Sequence, residues 1–201
     1  MMEAERMDTP QLPEERVAEM IAEIAAYMQG ERSLYLRASD SLSPTWKTTM
    51  QPYFPKALLD TVKAITLDGA RIPPPPFYSE AVALSGAHFP DFVHLASVTY
   101  IDIIVFNDAI LPRTLFHGLV HAQQMAALGL ETYVGFYLRG FLKTHSWINI
   151  PLEAQAFQLE ARFSMTPPRS FLRERRNRSL GPRESFLTRR TPSARTVAAL
   201  N

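Results

Sequence analysis

Two histidines, His117 and His121, stand one helical turn apart in the stretch Leu115-Phe116-His117-Gly118-Leu119-Val120-His121-Ala122-Gln123-Gln124. Side chains at i and i+4 share a helical face, so both imidazoles can approach one metal ion. Zinc takes four ligands, and a site that keeps one position open takes three from protein. The spacing alone fits equally well a helix with one solvated and one core histidine. Between the two lies Gly118, which has no side chain to accept a proton. Metal chemistry at this pair therefore lacks a general base from that position. Glycine also costs about 1 kcal/mol relative to alanine inside a helix, so it is not there for helix stability.

The elements that must position these residues are partly legible. Pro112 suits the first turn of a helix that carries both histidines to Ala127 and stops near Gly129. Before it, Val98 to Phe106 reads as one strand, rich in β-branched and aromatic residues. After it, Glu131 to His145 and Pro151 to Phe163 read as two further helices with apolar stripes. Pro13 to Gly30 reads as an amphipathic helix with Gly30 as its stop, and residues 31–53 read mostly as loop. Phe54 to Leu67 suggests a short helix running into a strand from Val62. Arg71 to Tyr78, with four consecutive prolines, must be extended. No internal repeat is visible.

The chain has 201 residues, enough for one well-cored domain and a tail. It has no cysteine, which excludes disulfides, thiolate zinc fingers and cysteine nucleophiles. No run approaches the roughly 20 apolar residues of a membrane span, and the start lacks the apolar centre of a signal peptide. Cytoplasmic residence without membrane attachment is the expectation. The formal charge of +1 hides an asymmetry. Residues 1–164 carry 12 Lys and Arg against 18 Asp and Glu, whereas residues 165–201 carry nine Arg against two Glu. The expected organisation is an N-terminal helix with loops over 1–54, a metal-binding core over 55–164, and a basic, disordered tail over 165–201. That Arg-rich tail is either a solvated charge run or a contact for nucleic acid or another acidic partner.

A strand, a short loop, a histidine-bearing helix, another helix, then a helix with glutamate in its first turn is the order found in gluzincin-type zinc peptidases. The chain resembles that family. The matching residues are His117 and His121 for its H-E-x-x-H helix, and Glu153-Ala154-Gln155-Ala156 for its downstream E-x-x-A motif. The fuller strings Leu115 to His121 and Ile150-Pro151-Leu152-Glu153 look like those of small, uncharacterised bacterial members with zincin-like folds. The resemblance covers about residues 55–163 and leaves out the basic tail.

What the resemblance implies is an α+β, zincin-like fold, with a small sheet beside a helical bundle that holds Zn2+. It implies His117 and His121 as imidazole ligands, Glu153 as the carboxylate ligand, water in the fourth position, and a peptide or protein as substrate. Read from the residue alone, Glu153 also fits a carboxylate that complements a helix dipole. Gly118 stands where the family has its catalytic glutamate. It leaves three accounts: a pseudoenzyme that keeps its metal, a variant of an active parent one codon transition away, or an active hydrolase with a substitute base. Glu160 is the candidate base, and alternatively a residue that orients a ligand or faces solvent. A non-catalytic binding protein with a basic tail is the reading from another class.

Other residues carry weaker signals. His145 is a rival ligand, a helix cap or a core residue. His88 and His94 read as loop or surface. Asp102 either orients a ligand histidine or faces solvent. Gln123 and Gln124 read as polar helix surface, and Tyr133, Phe136, Tyr137 and Phe141 as packing. No phosphate-binding glycine loop, dinucleotide fingerprint or serine triad supports another enzyme class.

Overall fold

The computed structural model describes residues 12–85 and 90–165, which form a mixed α+β unit of seven α-helices and one four-stranded sheet. The basic tail from residue 166 onward lies outside the described residues, as does His88. No helix among the described residues is long and apolar enough to cross a membrane.

Helix α1 (Glu14–Leu36) opens with Glu14 and Glu15 in its first turn, where they complement the helix dipole. It does not stop at Gly30, as expected, but runs six residues further. Tertiary contacts outweigh the glycine penalty there. Tyr35 and Leu36 pack on the cluster of Ile72, Tyr100, Ile103 and Val105, and Arg32 forms an ion pair with Asp102. The expected loop 31–53 also contains strand β1 (Asp40–Ser41) and helix α2 (Pro44–Met50). Ser43 caps α2 through its side chain, accepting from Trp46 N, and Pro44 occupies the first turn. That Ser-Pro start signal was present in the sequence. Helix α3 (Lys56–Thr61) runs into strand β2 (Lys63–Thr66) through Val62, as expected. The proline run has no regular structure until helix α4 (Tyr78–Ser85).

The expected single strand Val98 to Phe106 is a hairpin. Strands β3 (Ser97–Tyr100) and β4 (Ile103–Phe106) pair antiparallel around a two-residue turn, Ile101-Asp102. Ile101 has φ of 62°, which is unusual for a β-branched residue, and the turn offers no Gly or Asn to betray it. Packing of Ile101 against the α1/α6 cluster and the Arg32–Asp102 pair hold it there. Sheet order is β1-β2-β4-β3, with β2 and β4 parallel and β3 at an edge.

Strand β4 is buried on both faces, which explains its unbroken apolar run. Ile104 and Phe106 join the core with Leu115, Phe116 and Leu119, while Ile103 and Val105 join the cluster beneath α1. Helix α5 (Pro112–Leu128) therefore lies against the sheet. A single residue, Gly129 at φ 78°, turns the chain into helix α6 (Leu130–Thr144). Pro151 then opens helix α7 (Pro151–Met165), which packs along α5 with Phe116 stacked on Phe163 at 4.5 Å.

Candidate metal centre

The face of α5 turned toward α7 carries both histidines. His117 Nε2 and His121 Nε2 lie 3.0 Å apart. The first turn of α7 brings Glu153 to them, with its two oxygens 3.4 Å from His117 Nε2 and from His121 Nε2. Among the described residues these three form the one group whose geometry could hold a metal ion. Glu153 and His121 are buried, and His117 is nearly so.

Hydrogen bonds behind the histidines decide which nitrogen is free. Gln124 Nε2 donates to the main-chain oxygen of Leu152 at 3.1 Å and to Gln155 Oε1 at 2.9 Å. A carbonyl can only accept, so the Gln124 amide has its Oε1 toward His121 Nδ1, 2.9 Å away. His121 must then carry its proton on Nδ1, and Nε2 presents a lone pair. Glu160 does the same for His117: its Oε2 accepts from Nδ1 at 2.8 Å. With both imidazoles neutral, two lone pairs and a carboxylate would thus converge with no donor among them. Such a cluster is repulsive unless a cation or a proton sits in it.

Glu153 makes the same point. Its Oε1 accepts from the Tyr137 hydroxyl at 2.9 Å, whereas its buried Oε2 has no hydrogen-bond partner. That buried oxygen lies 3.4 Å from His117 Nε2 and is free to serve as the carboxylate donor if an ion is held by the group. In the metal-free protein a proton fills part of this role. Burial opposes a charge on His117, but Glu153 and Glu160 outweigh it and push its pKa up to about 9. Burial likewise disfavours the Glu153 carboxylate, yet the two histidines hold it well below the usual range. Burial raises the tyrosine hydroxyls of Tyr133 and Tyr137, so both stay protonated.

The sequence-predicted residues divide clearly. His117, His121 and Glu153 come together. Glu160 lies on the outer edge of the His117 ring, one oxygen on Nδ1 and the other paired with Arg113. That is an orienting position, and both oxygens are engaged. Asp102 orients no histidine; it pairs with Arg32 at 2.5 Å in the hairpin turn. His145 is the left-handed C-cap of α6 at φ 51°, outside the donor group. His94 is 82% exposed and hydrogen-bonded to Asp91.

Three contributors escaped the sequence reading. Gln124, expected on the surface, is buried, while Gln123 is exposed. Its position three residues after His121 was the available signal, since i and i+3 share a face. Tyr133 and Tyr137, expected as packing, aim their hydroxyls at His121 Nδ1 (3.2 Å) and Glu153. Phe136, grouped with them, is exposed.

Gly118 has a structural reason for being glycine. A Cβ there would lie 2.9 Å from Ile104 Cγ2, 3.0 Å from Ile104 Cδ1 and 3.1 Å from Thr99 Oγ1. Thr99 donates from Oγ1 to the Gly118 carbonyl at 3.3 Å. The missing side chain lets α5 approach β3 and β4 closely.

No protein-family model, curated protein or solved structure matches this chain.

Proposed function

We propose that this chain is a metallopeptidase-like zinc protein, with His117, His121 and Glu153 as ligands and hydrolytic activity impaired or absent because Gly118 supplies no general base. The observation that carries the reading is the donor triangle with its unpaired Glu153 Oε2. Tetrahedral zinc with nitrogen and oxygen ligands at about 2.0–2.1 Å requires ligand atoms about 3.3 Å apart. Here the two Nε2 atoms are 3.0 Å apart, and each lies 3.4 Å from a different oxygen of Glu153, Oε2 for His117 and Oε1 for His121. Two histidines and one glutamate are also a donor set that catalytic zinc sites use, leaving one position open. Bound zinc would supply Lewis acidity to a lone pair at that position.

The chain's own residues restrict the chemistry open to such a site. Gln124 and Glu160 hold the two imidazoles in the ligating tautomer, and Tyr137 holds Glu153 by one oxygen. None of them is placed to take a proton from an attacking nucleophile. General acid–base assistance is typically worth about 10²–10⁴-fold, so turnover by this site falls short by at least that factor. An active hydrolase using Glu160 as base is the weaker reading, because Arg113 and His117 already engage that carboxylate.

The test is zinc per chain by elemental mass spectrometry, on protein purified without a metal-affinity tag, with His117→Ala beside it. Near-stoichiometric zinc that disappears in the variant is expected. Zinc absent even after supplementation, or retained in His117→Ala, refutes the assignment.

A further inference from the structure

The three donors line a cavity of about 530 Å³, a size that suits a small molecule. All but one of its ionisable lining residues other than tyrosine form one connected cluster, His117, His121, Glu153, Glu160 and Arg113. Elsewhere the walls are mainly apolar, with Met20, Ile24 and Met28 of α1, Phe77 ahead of α4, and Leu138 and Phe141 of α6. Ser97, Thr99 and Thr114 add hydroxyls, of which those of Thr99 and Thr114 bond main-chain oxygens. Glu80, the remaining charged lining residue, is bound by Arg16. Each tyrosine hydroxyl that reaches the cavity has a hydrogen-bond partner. Tyr27 and Tyr100 bond each other at 3.2 Å, while Tyr133 and Tyr137 serve His121 and Glu153.

Such a cavity has one reactive pole and a long apolar remainder. We propose that it binds an unbranched fatty carboxylate, with the head at the open metal position and the chain lying between α1 and α6. The head's placement rests on the proposed zinc site. A divalent ion held by two neutral imidazoles and Glu153 leaves the pole net positive, since Glu160 is offset by Arg113. That charge favours an anionic head. The apolar walls favour a chain without polar groups. A polypeptide would instead bring an amide donor and acceptor with every residue, and away from the edge of β3 it would meet mainly apolar side chains. That desolvation cost is absent for a fatty chain.

The experiment is calorimetric titration of the full chain, after its zinc content has been measured. The probes are straight-chain carboxylates of increasing length, the matching alcohols, and an apolar peptide with blocked ends. Affinity is expected to rise about fourfold per added methylene until the cavity is full, and then to level off. It is expected to drop when the head is an alcohol or when the metal is stripped. Ile24→Trp and Val98→Trp, which fill the cavity from two different walls, should abolish binding with zinc content unchanged. Affinity independent of chain length, equal binding by metal-free protein, or tighter binding of the blocked peptide overturns the proposal. The wild-type series decides even if a tryptophan variant fails to fold. Failure of the zinc reading is separately visible, as missing metal before any ligand is added.

Discussion

Gly118 is the residue on which packing and chemistry meet, and Gly118→Ala isolates the packing part. Two effects oppose each other. Alanine is favoured over glycine in a helix interior by about 1 kcal/mol. Against that, the new methyl would sit 2.9 Å from Ile104 Cγ2 and 3.1 Å from Thr99 Oγ1 in a region where Ile104 is fully buried. Overpacking of this kind costs about 1–3 kcal/mol. The net expectation for Gly118→Ala is therefore a loss of zero to about 2 kcal/mol. In an Ile104→Ala background the two closest contacts are gone, and the same substitution should stabilise by up to about 1 kcal/mol. The double-mutant cycle thus predicts a coupling of about 1–3 kcal/mol, well above the few tenths expected of independent sites. Urea unfolding midpoints of the four proteins measure it. Additive behaviour, or a full propensity gain in the wild-type background, would refute the claim that close helix–sheet approach requires glycine. The outcome also bears on Gly118→Glu. If hydrolysis was lost with the glutamate alone, that substitution should create peptidase activity at unchanged zinc content. If Ile104 and Thr99 now occupy the space, it should destabilise the protein and stay inactive on diverse unfolded peptides.

Further expectations concern the groups behind the ligands. Gln124→Met removes the acceptor that fixes the His121 tautomer, and Tyr137→Phe removes the donor on Glu153 Oε1. Each should weaken zinc binding by about 10–100-fold in a competition assay with a chromogenic chelator, while leaving the fold intact. Unchanged affinity in both would show that neither hydrogen bond orients a ligand. The metal-free protein should also be pH-sensitive through His117, whose pKa is about 9 when folded against 6.5 ordinarily. A raised folded pKa contributes stability below the unfolded value that is lost as pH rises through the folded one. Metal-stripped wild type should therefore lose up to about 3 kcal/mol between pH 6.5 and 9, seen as a falling urea midpoint. His117→Ala should lack that component, and a slope equal to wild type's would refute the assignment to His117.

Local geometry explains what could be read directly. His117 and His121 belong to one helix, so their convergence follows from 3.6 residues per turn whatever the rest of the chain does. Pro112, Gly129 and Pro151 mark the ends of α5, α6 and α7 because proline and glycine restrict or free the backbone locally. Glu153 was reached only through a resemblance, since 32 residues separate it from His121 and no periodicity links them.

The remainder is tertiary. Gly30 fails to stop α1, because Arg32 and Tyr35 find partners on a sheet formed some 70 residues later. Val98 to Phe106 folds as a hairpin because Ile101 is held in a left-handed conformation by contacts from α1 and α6, not by its own preference. Gln124 has the composition of a surface residue, and only the main-chain oxygen of Leu152 decides which end of its amide meets His121. Tyr133 and Tyr137 look like core aromatics until α6 folds back and their hydroxyls meet His121 and Glu153. Gly118, read alone, is a missing base; only the 2.9 Å approach of Ile104 adds a packing reason for it. In each case the deciding partner lies on another element, and a hydrogen bond or a steric contact acts over a few ångströms of space however far apart the residues lie in the chain.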